Sequence, residues 1–178
     1  MAEALATSLA PHRGEAPGHA FGVWLAAEDL GADAAMGLWA EAATHGPAFA
    51  NPLLFPWALT SALAAHLARR LDLRGPNVSL VGGPEASVAA FGFALDALDE
   101  GEVERALLLR VEARLGRAFV LVLGAGEGPT LQRLNVPDGR GGDPLLGLAT
   151  CPEPFGVIWS LPPWGSVRLA ATSAAFGV

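Results

Sequence analysis

The stretch that decides the fold is Leu71–Gly83, LDLRGPNVSLVGG, followed at once by Pro84–Asp99, PEASVAAFGFALDALD. Gly75-Pro76 ends whatever precedes it, because proline lacks the N–H a helix needs. Asn77–Val81 is a short β-rich run and reads as a strand. Gly82-Gly83 makes a sharp turn. Pro84 suits the first position of a helix, where a missing N–H costs nothing. That helix is expected to run to about Asp99, with Val88, Phe91, Leu95 and Leu98 along one stripe and Gly101 as its stop.

Upstream, NPLLFP (residues 51–56) is a turn-rich entry to a long helix expected over Trp57–Leu71. Leu59, Leu63, Leu67 and Leu71 recur every four residues, Ala58, Ala62 and Ala65 permit close packing, and Arg69 and Arg70 fall in the last turn, where cations suit the helix dipole. Further back, Ala20–Ala26 is a continuous apolar run and reads as a buried strand. Asp33 is the expected N-cap of a helix reaching Thr44, stopped by Gly46-Pro47. Residues 1–19 hold Pro11, Gly14, Pro17 and Gly18 and read as a loose leader; residues 20–178 read as a single domain. Downstream, Arg105–Val111 and Ala118–Leu123 are strand candidates. Gly124–Pro144 reads as a long loop with a short strand near Leu131–Val136, and Phe155–Leu161 and Ser166–Thr172 are two final strands. This order points to an α/β fold with a largely buried sheet sandwiched by helices.

Composition excludes several classes. Of 178 residues 52% are hydrophobic, enough for a substantial core, and the formal net charge is −7. Every basic residue is an arginine. No basic stripe is available for nucleic acid, and without lysine neither a P-loop nor a Schiff base can form. One cysteine, Cys151, rules out an internal disulfide and fits a reducing cytoplasm. No apolar run is long enough to span a bilayer.

Asn51–Glu112 resembles the central part of β-ketoacyl synthases, members of the thiolase-like superfamily. The carriers of the resemblance are the NP and FP of residues 51–56, a helix, LDLRGPNVSLVGG, the helix from Pro84, and ALLLRVEA (residues 106–113). Upstream AFGVWLAAEDL and downstream RAFVLVLG are similar to further strands of that family, and the final SAAFGV is faintly similar to a segment near its end. The resemblance implies a compact or truncated thiolase-like mixed sheet between helices. It also implies that a catalytic cysteine should stand nine residues after the Gly of RGP, at a helix start that lowers the thiol pKa and holds a thioester oxyanion; counting from Gly75 gives Pro84. The family's two catalytic histidines follow that cysteine, whereas His12, His19, His45 and His66 all precede Pro84. Chain-length factors, which also lack the cysteine, partner an active synthase.

The resemblance therefore implies a non-condensing subunit of fatty-acid, polyketide or aryl-polyene biosynthesis. It would act beside a full-length ketosynthase or with an acyl carrier protein. Its dimer strand, by the family's pattern, is Val78, Ser79, Leu80 and Val81, pairing with a second copy or with a full-length ketosynthase. Two alternatives stand: an enzyme that decarboxylates or hydrolyses thioesters through Glu85 or Ser87, and a structural homodimer without acyl ligand.

The other chemistries are weaker. Cys151 in ATCPEPFG lacks a helix start or a base and reads as a buried filler. Glu85 in a first helical turn complements the dipole whether or not it has chemistry. Gly124-Ala125-Gly126-Glu127-Gly128 lacks the helix that a dinucleotide fingerprint must open and reads as a turn. No Cys/His or acidic cluster has metal-ligand spacing, so neither metal nor cofactor is expected. Trp24, Trp39, Trp57, Trp159 and Trp164 read as packing residues that could line a pocket.

Overall fold

The computed structural model describes residues 2–13, 17–124, 130–134, 141–150, 158–162 and 166–170. Its centre is the strand β1 (Phe21–Ala27), buried along its whole length. β1 pairs in parallel with β2 (Asn77–Val81) on one side and β3 (Arg105–Glu112) on the other; β4 (Arg117–Gly124) pairs antiparallel with β3. The order is β2-β1-β3-β4. A central parallel strand is covered on both faces, which is why β1 reads as an unbroken apolar run.

The period of two along β1 and β3 sorts their side chains into two cores. Phe21, Val23, Leu25, Leu107, Leu109 and Val111 face one layer, completed by Leu5, Leu63, Leu67 and Leu71. Trp24, Ala26, Ala106 and Leu108 face the other, with Ala90, Phe91, Ala94 and Leu95. The first layer is built by helices α1 (Ala2–Arg13) and α4 (Ala62–Arg70), the second by α5 (Pro84–Asp99) and α6 (Pro144–Thr150). Between β1 and α4 run α2 (Ala32–His45) and the short α3 (Phe55–Ala58). A second sheet has the order β5-β7-β6, from β5 (Thr130–Leu134), β6 (Ile158–Ser160) and β7 (Ser166–Ala170), all antiparallel.

Two glycines let the central strands approach. A Cβ on Gly75 would lie 2.8 Å from the Phe21 carbonyl oxygen, so the RGP turn can close onto β1 only without a side chain. A Cβ on Gly22 would lie 2.6 Å from the Trp24 ring, whose buried indole occupies that space.

Four expectations are corrected. The loose leader is instead α1 over much of its length, with Leu5, Ala6 and Leu9 buried in the first core. Its apolar stripe is short, and such a helix is stabilised by packing rather than propensity. Glu3 reinforces it, 3.1 Å from Arg70 and 3.2 Å from His66 Nε2. The helix expected over Trp57–Leu71 breaks into α3 and α4, because Leu59 adopts extended backbone. Gly31, with φ +83, precedes α2 in place of Asp33, which lies in the first turn. A Cβ on Gly31 would sit 2.8 Å from the Ala58 carbonyl oxygen, so close packing adds to the left-handed backbone in requiring glycine. The long loop is interrupted at its end: Asp143 starts α6, which the sequence reading missed.

Candidate functional site

The carboxyl ends of β1, β2 and β3 meet the start of α5, the position where open α/β sheets place ligands. Arg110 comes from β3, one residue before its penultimate position, and is only 3% exposed. Its three nitrogens are all engaged. Nη2 donates to Glu28 Oε1 at 2.7 Å, and Nη1 donates to the Gly82 carbonyl at 3.2 Å. Nε lies 3.1 Å from Asp143 Oδ2 but is not aligned as a hydrogen bond, so that contact is an ion pair. Glu28 directly follows β1, and Gly82 directly follows β2. One guanidinium thus ties together three strand ends.

Asp143 links this knot to α6. Its Oδ1 accepts from the N–H groups of Leu145 and Leu146, at 3.1 and 3.0 Å, as an N-cap does. Its Oδ2 accepts from the buried Ser87 hydroxyl at 2.8 Å. Beside the knot lies a cleft of about 200 Å³ lined by Glu28, Asp29, Arg110, Glu112, Arg114 and Leu115 among others. Arg114 Nε is 2.8 Å from Asp29 Oδ2 on its rim.

Pro84 is the first residue of α5, and Gly83 is its N-cap. Glu85 folds back, and its Oε1 accepts the Gly83 N–H at 2.9 Å. Its carboxyl is held below the ordinary glutamate range, first by its own backbone N–H, then by that of Gly83, with Arg110 contributing after a small opposing effect of burial. Glu85 is thereby occupied as a cap, and Ser87 as a donor to Asp143. Among the described residues neither is hydrogen-bonded to a histidine: Glu85 is bonded to Gly83, Ser87 to Asp143, and His66 lies against Glu3 and Trp57. Val78, Ser79, Leu80 and Val81 lie on β2, which is an edge strand.

Several sequence candidates fall elsewhere. Cys151, most of the Gly124–Gly128 turn, and the side chains of Trp159 and Trp164 lie outside the described residues. Trp24 is core, while Trp39 is exposed on α2. Among the described residues no group of three His, Cys, Asp or Glu side chains could hold a metal ion, and no helix is long and apolar enough to cross a membrane. The sequence reading missed Arg110, Glu28 and Asp143. The available signal was Arg110 itself: a charge inside an apolar strand must be paired, because an isolated buried charge is prohibitively costly.

No protein-family profile and no curated protein matches this chain. Among solved structures it superposes on the ishigamide ketosynthase/chain length factor with a TM-score of 0.52 and 22% identity, over 56% of this chain and 28% of that one. The fold is thiolase-like. At that identity the likeness establishes fold and not activity. Two other alignments are too loose to extend it. One is to a type II PKS ketosynthase in complex with its acyl-carrier protein (TM-score 0.49, 13% identity, 88% of this chain, 40% of that one). The other is to the Streptomyces albus oxazolomycin ketosynthase domain (0.39, 21%, 77% and 39%). The chain spans well under half the length of each of these three structures.

Proposed function

We propose that this thiolase-like chain is a non-condensing subunit that acts beside a ketosynthase in polyketide or fatty-acid type biosynthesis. The observation that carries the reading is the β2–α5 junction. By the resemblance, Pro84 stands where the family places its cysteine, and it has neither a nucleophile nor an N–H. The N–H groups that remain at the helix start, those of Gly83 and Glu85, are taken by the Glu85 carboxylate. A condensing enzyme needs free donors there for a developing oxyanion. This junction offers a negative charge instead.

The same reading assigns β2 as the partner-facing strand. Val23 N–H bonds the Pro76 carbonyl and Gly82 N–H bonds the Ala27 carbonyl, at 2.8 and 2.9 Å. In a parallel ladder the bonding alternates, so Val78 and Leu80 spend their backbone groups on β1. Asn77, Ser79 and Val81 then direct theirs to the open edge. A twofold axis through Ser79 would set Ser79 against Ser79, and Asn77 against Val81, so that each outward N–H meets a carbonyl. It would also give the Ser79 hydroxyl, which is buried without a hydrogen-bond partner, a twin beside it. A full-length ketosynthase presenting an equivalent strand would fit the same edge.

The test is native mass spectrometry of the protein purified gently from its own host, followed by incubation of the pure chain with acetyl- and malonyl-thioesters. Co-purification with a ketosynthase or carrier protein, and no turnover by the chain alone, is the expected result. Turnover that survives Cys151→Ser but is lost with Glu85→Gln or Ser87→Ala would replace this reading by the thioester-processing one.

A further inference from the structure

Arg110 is held but not satisfied. A guanidinium carries five N–H donors, and a buried one calls for a partner on each. Arg110 is 3% exposed, yet among the described residues only two of its N–H groups enter hydrogen bonds, one to Glu28 Oε1 and one to the Gly82 carbonyl. Its Nε, although beside Asp143, makes none. The same residue lines the cleft of about 200 Å³. The two carboxylates that hold it differ in kind. Asp143 is 7% exposed and is fixed by Ser87 and by the N–H groups of Leu145 and Leu146. Glu28 has a side chain 65% exposed, and its only hydrogen bond among the described residues runs to Arg110 through a single oxygen. Holding a long exposed side chain in one geometry costs entropy that such a pair barely returns.

We propose that this cleft binds a short-chain carboxylate, and that Glu28 is the internal competitor for its head-group position. Glu28 turns into solvent, and the ligand carboxylate takes its place on Nη2, with guanidinium donors to spare for its second oxygen. A two-oxygen contact is the one a guanidinium fork makes best, and Glu28 does not make it. Charge selects the head group. The under-satisfied cation calls for an anion, but Asp143 stands on its Nε, and Glu112 and Asp29 line the cleft. Arg114 compensates Asp29, at 2.8 Å, and leaves Glu112 without an ion pair among the described residues. A single negative charge is accepted in these surroundings, whereas a dianion meets like charge that the two arginines do not offset. The rest of the wall selects an apolar tail. Ala113 and Leu115 line the same cleft, and Leu115 is a large apolar side chain left 62% exposed. The site lies where the carboxyl ends of β1 and β3 meet, apart from the β2 edge, and it does not rest on the ketosynthase reading.

The experiment is isothermal titration calorimetry of the full chain with n-butyrate, for the parent protein and for Glu28→Ala, with acetate, sulfate and n-butylammonium as comparison probes. Glu28→Ala is expected to bind n-butyrate about 10-fold more tightly than the parent, or better, because a tethered carboxylate competes at a high effective concentration. If Glu28→Ala unfolds, Glu28→Gln keeps the shape of the side chain without its charge, and the same direction of change is expected. Adding Leu115→Ser to the Glu28 variant is expected to weaken n-butyrate and leave acetate unchanged. In nitrogen-15 spectra of the arginine side chains, n-butyrate is expected to move the Arg110 Nε–H signal. A Glu28 variant that does not bind n-butyrate at tens of millimolar overturns the inference, as does equal affinity in variant and parent. So does sulfate binding as tightly as n-butyrate, n-butylammonium binding in its place, n-butyrate affinity that ignores Leu115→Ser, or an Arg110 signal that stays still.

Discussion

At Arg110 the chain buries a guanidinium among Glu28, Asp143 and the Gly82 carbonyl. Removing one member of a buried charge group costs more than the group contributes, because the others are left uncompensated. Arg110→Met is therefore expected to destabilise the fold by about 3–5 kcal/mol, read from urea unfolding. Most of that loss comes from Asp143, which is nearly as buried, while Glu28 can turn to solvent. Glu85 makes the opposite case, since it is exposed and its role is local. Its carboxyl is depressed in the folded chain, so its contribution is present above its unfolded pKa and is lost as pH falls through the lower folded value. Glu85→Gln is expected to flatten the acid limb of the stability profile below about pH 4.5 and to leave stability at pH 7–8 parallel to that of the parent. A chemical denaturation series at stepped pH checks this. Glu85 was visible in the sequence as a first-turn acid. Arg110 was visible only as an exception in an apolar run, and its partners, distant in the chain, were not visible at all.

Among the elements, α1 and α2 invert what their sequences promise. Residues 2–13 carry only a short apolar stripe and a proline, yet Leu5 and Leu9 complete the first core. Leu9→Ala is expected to cost about 2–5 kcal/mol, the range for a buried leucine, where a loose leader would give almost nothing. The stretch from Asp33 to Thr44 reads as a helix, yet no residue of α2 is buried. Patterning reveals a helix with a face but not whether the same chain covers that face. The split of residues 57–71 into α3 and α4 has a similar origin. The leucine period continues through Leu59, but Gly31 packs against the Ala58 carbonyl and the backbone turns there.

For the whole molecule the open question is assembly. Ser79→Pro places a proline where the N–H points away from β1, so the internal ladder keeps its bonds while the edge loses a donor. It is expected to abolish the strand-mediated pairing proposed above with little change in unfolding midpoint, measured by native mass spectrometry beside thermal denaturation. Intact pairing in this variant would remove β2 from the interface.

Local chemistry was enough to determine β1, β2, α5, β3 and β4. Each is a run of one period bounded by Gly, Pro or a charge, and the RGP–strand–turn–Pro84 order led to the thiolase-like fold. Tertiary structure alone decided that α1 belongs to the core and α2 does not, and that Glu28, Arg110 and Asp143 share one site. These depend on which faces meet in space, and hydrophobic periodicity marks a face without naming its partner.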